Sequence, residues 1–189
     1  MHKLTGTPLD RALEAAGGEQ RETLVGDLVE AIDRAAEDSR IEALVLNLDE
    51  MGSGGVTKLN RVAEAVARFR ESGKRIVASG GGYSQAQYLL ASTADEIYLH
   101  PLGDVFFQGF GYYRLFFGEA VDSLLIDWHV FRAGEYKTLH DSATRSQMSE
   151  VEKQEARIFI DQLWQGYRER IAAARSTTPD AIQQFADGY

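Results

Sequence analysis

The chain has 189 residues, with 20 Lys and Arg against 29 Asp and Glu, 18 Gly, 3 Pro, no Cys, and 44% hydrophobic residues, a composition that excludes disordered and collagen-like chains and fits one globular domain able to bury roughly 70% of its unfolded surface. A net charge of -9 and a pI near 4.9 exclude a non-specific nucleic-acid binder, whose affinity comes from clustered Lys and Arg. The lack of Cys excludes a disulfide framework, thiolate zinc and a Cys nucleophile; no apolar run approaches the ~18 residues of a membrane span, and Met1 to Thr7 lacks the apolar core of a signal peptide, so the chain is expected to be soluble.

In chain order, Thr7 before Pro8 reads as an N-cap, and Gly17-Gly18 closes that short helix. Leu24, Leu28, Ile32 and Ala35 share one face of a second helix, and Ile41 to Leu48 is an apolar run suited to a buried strand. The glycine-rich loop Asp49 to Gly55 leads into a helix marked by Leu59, Val62, Val66 and Phe69, and Arg75 to Ala78 is the next strand. Strand, helix, strand implies a parallel pair, and the pattern recurs: Ser79 to Gly82, a helix over Ser84 to Ala91, and a strand at Glu96 to Leu99. The class is α/β.

Beyond Pro101 and Gly103, the sequence predicts an extended segment at Val105 to Gly109, a helix through Tyr113 to Leu125 and a strand at Trp128 to Arg132. Ser149 with Glu152 forms a capping box ahead of a long amphipathic helix carrying Ala156, Ile160, Leu163, Tyr167, Ile171 and Ala174, and Thr178-Pro179 starts a last helix. Seven aromatics between Val105 and Phe117 exceed what one strand face and one helix face can bury, which predicts an exposed apolar surface.

None of the four histidines has metal-ligand spacing, so no metal is expected. His140-Asp141-Ser142 spells a triad, yet consecutive residues cannot converge on one atom. Neither DEMGSGGV nor ASGGGYS matches a phosphate-binding fingerprint. Both loops place glycines between a strand and a helix, an arrangement that serves either tight turns or an oxyanion hole.

The segments GGGYSQAQYLLASTADEIYLHPLG, HVFRAGEYKT and RSQMSEVEKQEARIFIDQLWQGYRERIAAAR closely resemble the N-terminal half of the long, tandem-domain form of the signal peptide peptidase SppA (protease IV) family, with Y-S-Q-x-Q-Y, F-R-x-G-x-Y-K and R-x-x-M-S in order from about Pro8 onward. The resemblance implies that residues 1–189 form a single ClpP/crotonase-like domain of repeated β-α-β turns, half of a serine endopeptidase that degrades cleaved signal peptides. It implies a Ser-Lys dyad in which Lys137 is the general base and the serine lies in an absent C-terminal domain. Gln85 stands where single-domain relatives carry the nucleophile; Ser84 is one residue away, a turn of about 100° on a helix, and reads as a helix cap. Gly54 and Gly55 lie where related folds place an oxyanion loop. Asp141, Ser142 and Ala143 depart from the acidic residue, Pro and Phe usual after the lysine.

The same resemblance implies no cofactor, a homo-oligomer, partnership with the C-terminal peptidase domain of the same protein, no nucleic acid, and an inner-membrane location facing the periplasm. Two rival readings are a non-catalytic scaffold and a crotonase-like acyl-CoA enzyme.

Overall fold

The computed structural model describes residues 3–5, 22–52, 54–126, 142 and 145–188. The described residues fall into two compact units, one within Met1–Gly109 and Tyr167–Tyr189, the other within Phe110–Gly166. The first helix expected, between Thr7 and Gly18, lies outside the described residues, as do the strand at Trp128 to Arg132 and Lys137.

In the first unit, β1 (Lys3–Thr5) pairs in parallel with β2 (Glu22–Leu24), which runs into α1 (Val25–Glu37). Next come β3 (Ala43–Asn47), α2 (Val56–Glu71), β4 (Arg75–Gly80), β5 (Tyr83–Ser84), α3 (Gln85–Ala91), β6 (Glu96–Leu99) and β7 (Val105–Phe106). A three-stranded parallel sheet has the order β3-β4-β6, with Val45 opposite Val77 and Ser79 opposite Tyr98. The predicted strand-helix-strand unit is therefore present. In α2 the expected apolar positions Leu59, Val62, Val66 and Phe69 are all buried, each side chain contributing about 1.5–3 kcal/mol by leaving water. Ile76 and Ala78 beneath them are wholly buried. Asp95 fastens the entry to β4, accepting from the Ile76 N–H at 2.8 Å while its own N–H donates to the Ile76 carbonyl at 2.9 Å.

The run Ile41 to Leu48 departs from expectation. Its strand is confined to Ala43–Asn47 and stands at one edge of the sheet, with Val45 64% exposed. Alternation of side chains puts Leu44 and Leu46 on the packed face with Ile76 and Ala78, and Val45 on the opposite face with Tyr98, which is also exposed. An apolar run encodes a strand able to be covered on both faces; among the described residues one face is covered.

In the second unit, α4 (Gly118–Ser123) is much shorter than the helix expected over Tyr113 to Leu125. The reason is visible in the hydrogen bonds. The Phe117 N–H donates to the Ser142 carbonyl at 2.7 Å and the Gly118 N–H to the Arg145 carbonyl at 3.0 Å, so donors that a longer helix would direct to its own preceding turn are committed elsewhere. Gly118 is required here, since a Cβ would lie 2.6 Å from the Arg145 carbonyl carbon.

The helix α5 (Glu150–Ala174) begins at the predicted capping box: Ser149 N–H donates to Glu152 Oε2 at 2.8 Å and Glu152 N–H to Ser149 Oγ at 3.2 Å. Glu152 also pairs with Arg114 at 3.1 Å and Arg145 at 3.2 Å. The Ser149 N–H, opposed by desolvation and helped by the two guanidiniums, holds its carboxyl below the usual carboxylate range. Within the first unit, Tyr167 and Ile171 of α5 are buried, and α6 (Pro179–Asp187) starts at Thr178, whose Oγ1 accepts from the Ala181 N–H at 3.2 Å.

Of the aromatics between Val105 and Phe117, Phe106, Tyr112, Tyr113 and Phe117 are exposed while Phe107 is buried. Phe110 meets Trp164 edge to face at 6.4 Å.

Candidate active-site region

The parallel strands β3 and β4 both point their carboxyl ends at glycine-rich loops, the edge at which open α/β sheets place their chemistry. The two loops are tied together. Asp49, at the start of the first, accepts the Gly81 N–H of the second at 2.6 Å, and its own N–H is held by Asn47 Oδ1 at 3.1 Å. The second loop is crowded: a Cβ on Gly80 would lie 2.8 Å from the Tyr83 ring, and one on Gly103, in the turn after β6, would lie 2.0 Å from the Gly81 carbonyl oxygen. Backbone approaches backbone there, which only glycine permits.

From this loop the motif Tyr83-Ser-Gln-Ala-Gln-Tyr88 emerges, and each polar or aromatic side chain has a definite task. Tyr83 is buried and donates to the Tyr98 carbonyl at 3.0 Å; burial, reinforced by the nearby Asp49 carboxylate, pushes its phenol up and keeps it a donor. Ser84 caps α3, forming a reciprocal box with Gln87: Ser84 N–H donates to Gln87 Oε1 at 2.8 Å and Gln87 N–H to Ser84 Oγ at 3.4 Å. Gln87 Nε2 then reaches back to the first loop, donating to the Leu48 carbonyl at 2.7 Å and the Met51 carbonyl at 3.3 Å.

Gln85, the first residue of α3, points its side chain the other way. Its Oε1 accepts from the backbone N–H of Gln108 at 3.2 Å and of Gly109 at 2.8 Å, while its Nε2 donates to the Gly109 carbonyl at 3.2 Å. The Gln85 carbonyl accepts the Tyr167 hydroxyl at 2.8 Å. Burial pushes the Tyr167 phenol far up, so it remains a donor throughout the physiological range. Tyr88 completes the motif against Phe107 at 5.4 Å, and Phe107 also meets Tyr167 at 6.0 Å and Phe185 at 5.5 Å, all edge to face.

Gly55 caps α2 through its carbonyl, which accepts from Lys58 and Leu59 at 2.9 and 3.1 Å. Its φ of -64° is ordinary and nothing lies within 4 Å of a built Cβ, so the local fold does not demand glycine there. Gly54 is half-buried beside it. The structure places Gly54 and Gly55 before and at the cap of α2 and Ser84 and Gln85 at the start of α3, with the loops that follow β3 and β4 tied together by Asp49 and Gln87; Lys137 lies outside the described residues. Sequence reasoning missed Asp49, Gln87 and Tyr167, whose partners stand 32, 39 and 82 residues away. The repeated Gln in Y-S-Q-x-Q-Y was the one available signal. Among the described residues no group of three or more His, Asp or Glu is placed to hold a metal ion.

The profile of peptidase family S49 matches residues 68–189, which includes this motif, Lys137 and the whole of α5 and α6. The chain belongs to peptidase family S49. Family S49 proteins have the ClpP/crotonase-like fold, in accord with the parallel α/β build, and the chain is SppA-like. It is 34% identical over 180 residues to Protease 4 of Haemophilus influenzae, covering 94% of this chain and 29% of that protein. It is also 34% identical over 185 residues to Protease 4 of Salmonella typhi, covering 95% of this chain and 30% of that protein. A chloroplastic serine protease SPPA of Arabidopsis thaliana is 25% identical over 158 residues, 84% of this chain and 23% of that protein. The chain thus spans under a third of the length of these S49 relatives. No helix among its described residues is long and apolar enough to cross a membrane.

Proposed function

We propose that this chain is the base-bearing domain of an SppA-like serine endopeptidase that degrades cleaved signal peptides at the bacterial inner membrane, on its periplasmic side. Lys137 is the general base. The nucleophilic serine belongs to a C-terminal peptidase domain of the same protein, and the domains assemble into a homo-oligomer. The observation that carries this reading is that the start of α3 offers no free hydroxyl: the Gln85 carboxamide is engaged by the Gln108-Gly109 backbone, and Ser84 is spent as a helix cap. A half-domain of this kind needs its serine from elsewhere.

A lysine acts as a base near neutral pH once burial disfavours its ammonium form, and it then takes the serine proton as the hydroxyl attacks the scissile carbonyl. Gly54 and Gly55 are the loop assigned to the developing oxyanion. The exposed Phe106, Tyr112, Tyr113 and Phe117 suit apolar peptides and neighbouring domains.

The test is peptide cleavage by the longer protein. Lys137→Ala and Lys137→Arg are both expected to lose about 10²- to 10⁴-fold in kcat, since Arg cannot be deprotonated in the usable range. The 189-residue chain alone is expected to show no turnover and, in sedimentation across a concentration range, to self-associate. Near-normal cleavage by either Lys137 variant, or covalent labelling of Ser84 by a serine-directed acylating inhibitor, would overturn the dyad.

A further inference from the structure

The two strands β5 and β7 pair in parallel for only two residues, Tyr83 with Val105 and Ser84 with Phe106, before the chain turns into α3. A strand that stops so early leaves the backbone groups of Gln108 and Gly109 without a backbone partner from β5. Gln85 supplies one. Its carboxamide resembles a peptide group, a carbonyl acceptor beside an NH2 donor, and it meets both the N–H and the carbonyl of Gly109 as well as the N–H of Gln108. The carboxamide thereby gathers two consecutive N–H groups and one carbonyl of the turn that follows β7. Gly109 sits at a φ of +69°, a conformation glycine adopts without strain.

We propose that Gln85 is a positioning residue whose side chain acts as a surrogate peptide unit, clamping the end of β7 so that exposed Phe106 is presented to apolar peptide substrate. Of residues of this length, only Gln makes all three contacts. Glu has the two acceptor oxygens but no donor for the Gly109 carbonyl, Met fills the same length with no polar contact, and Ser cannot span the gap. The conversion of a nucleophile position into a clamp also explains why Ser84 next to it is free to serve α3 as a cap. The substrate arm of this inference rests on the proposed peptidase function; the clamp itself does not.

The experiment therefore reads the two separately. In the 189-residue chain, amide hydrogen exchange of Gln108 and Gly109 is measured for the unsubstituted chain, Gln85→Met and Gln85→Glu. Gln85→Met, which keeps side-chain volume, is expected to speed exchange at both amides by about tenfold, the loss of one to two net hydrogen bonds. Gln85→Glu, which keeps both acceptor contacts, is expected to stay within about threefold. In the longer protein, Gln85→Met is expected to raise KM for an apolar peptide about tenfold with kcat within about twofold, since uniform binding and not chemistry is lost, and Gln85→Glu to recover most of that KM. Exchange unchanged in both variants would overturn the clamp. Altered exchange with unchanged KM would overturn the substrate role and keep the clamp, and altered exchange in a longer protein that cleaves no peptide would overturn the peptidase reading alone.

Discussion

The two glycine-rich loops look alike as sequence and differ as physics. Both follow a parallel strand and precede a helix, yet the second is tightly packed, with no room for a methyl group on its own Gly80 or on Gly103 of the turn that lies against it, whereas Gly55 in the first has open space around it and ordinary backbone angles. The Gly81 carbonyl of the second loop lies against the turn at Gly103, and that backbone contact is what admits only glycine at position 103. Neither crowding nor strain accounts for Gly55, so any need for glycine there beyond its advantage over Ala as the N-cap of α2 has to come from what approaches it. This is the difference expected if the second loop holds the scaffold and the first faces a reacting group.

The sharpest way to break that comparison is to add one carbon to the turn packed against the second loop and one to the first loop. Gly103→Ala forces a Cβ into the Gly81 carbonyl at 2.0 Å, and is expected to destabilise the chain by about 3 kcal/mol, the upper end for overpacking; a melting temperature unchanged within experimental scatter would contradict the contact. A control outside both loops comes next. Glu152 has its carboxyl held low by the Ser149 N–H and its arginine neighbours, so its contribution is fully present above the unfolded value of about 4.3 and is lost as pH falls through the lower folded value. The stability gap between the unsubstituted chain and Glu152→Gln, about 1–2 kcal/mol at neutral pH for loss of a charge-assisted pair, is expected to shrink between about pH 5 and pH 3; a gap constant over that range would sink the assignment. The smallest effect is Gly55→Ala, expected to change stability by no more than about 0.5 kcal/mol. In the longer protein the same substitution separates the two roles of the first loop, since a large loss of peptide cleavage at unchanged stability would mark it as chemical, and unchanged cleavage would mark it as a turn.

How much of this was legible beforehand follows from the range of the interactions. Features written in local periodicity were readable: the buried stripe of α2 at Leu59, Val62, Val66 and Phe69, the β4 and β6 strands, and the Ser149-Glu152 box all stand where spacing put them. Features decided by distant partners were not. Nothing within one turn of Phe117 and Gly118 announces that their N–H groups are used by Ser142 and Arg145, so the helix there was read too long. The exposure of Val45 depends on how many elements flank β3, which an apolar run cannot count. At the candidate site the family motif marked Ser84 and Gln85 as positions of interest, while the tasks of Gln85 and Gln87 came from backbone groups 24 and 39 residues away.

The aromatic cluster around Phe107 has a bearing on how the chain acquires its shape during synthesis. Tyr88 and Phe107 meet early in the order of translation, but the rings that enclose them, Tyr167 and Phe185, come late, and the Tyr167 hydroxyl bond to Gln85 spans 82 residues. Contacts of such separation form slowly because the intervening chain has to be ordered first. At about 5–20 residues per second the ribosome leaves an interval of several seconds in which the first unit has its parallel sheet but not its lid of rings. During that interval Phe107 lacks the Tyr167 and Phe185 rings that meet it in the finished chain.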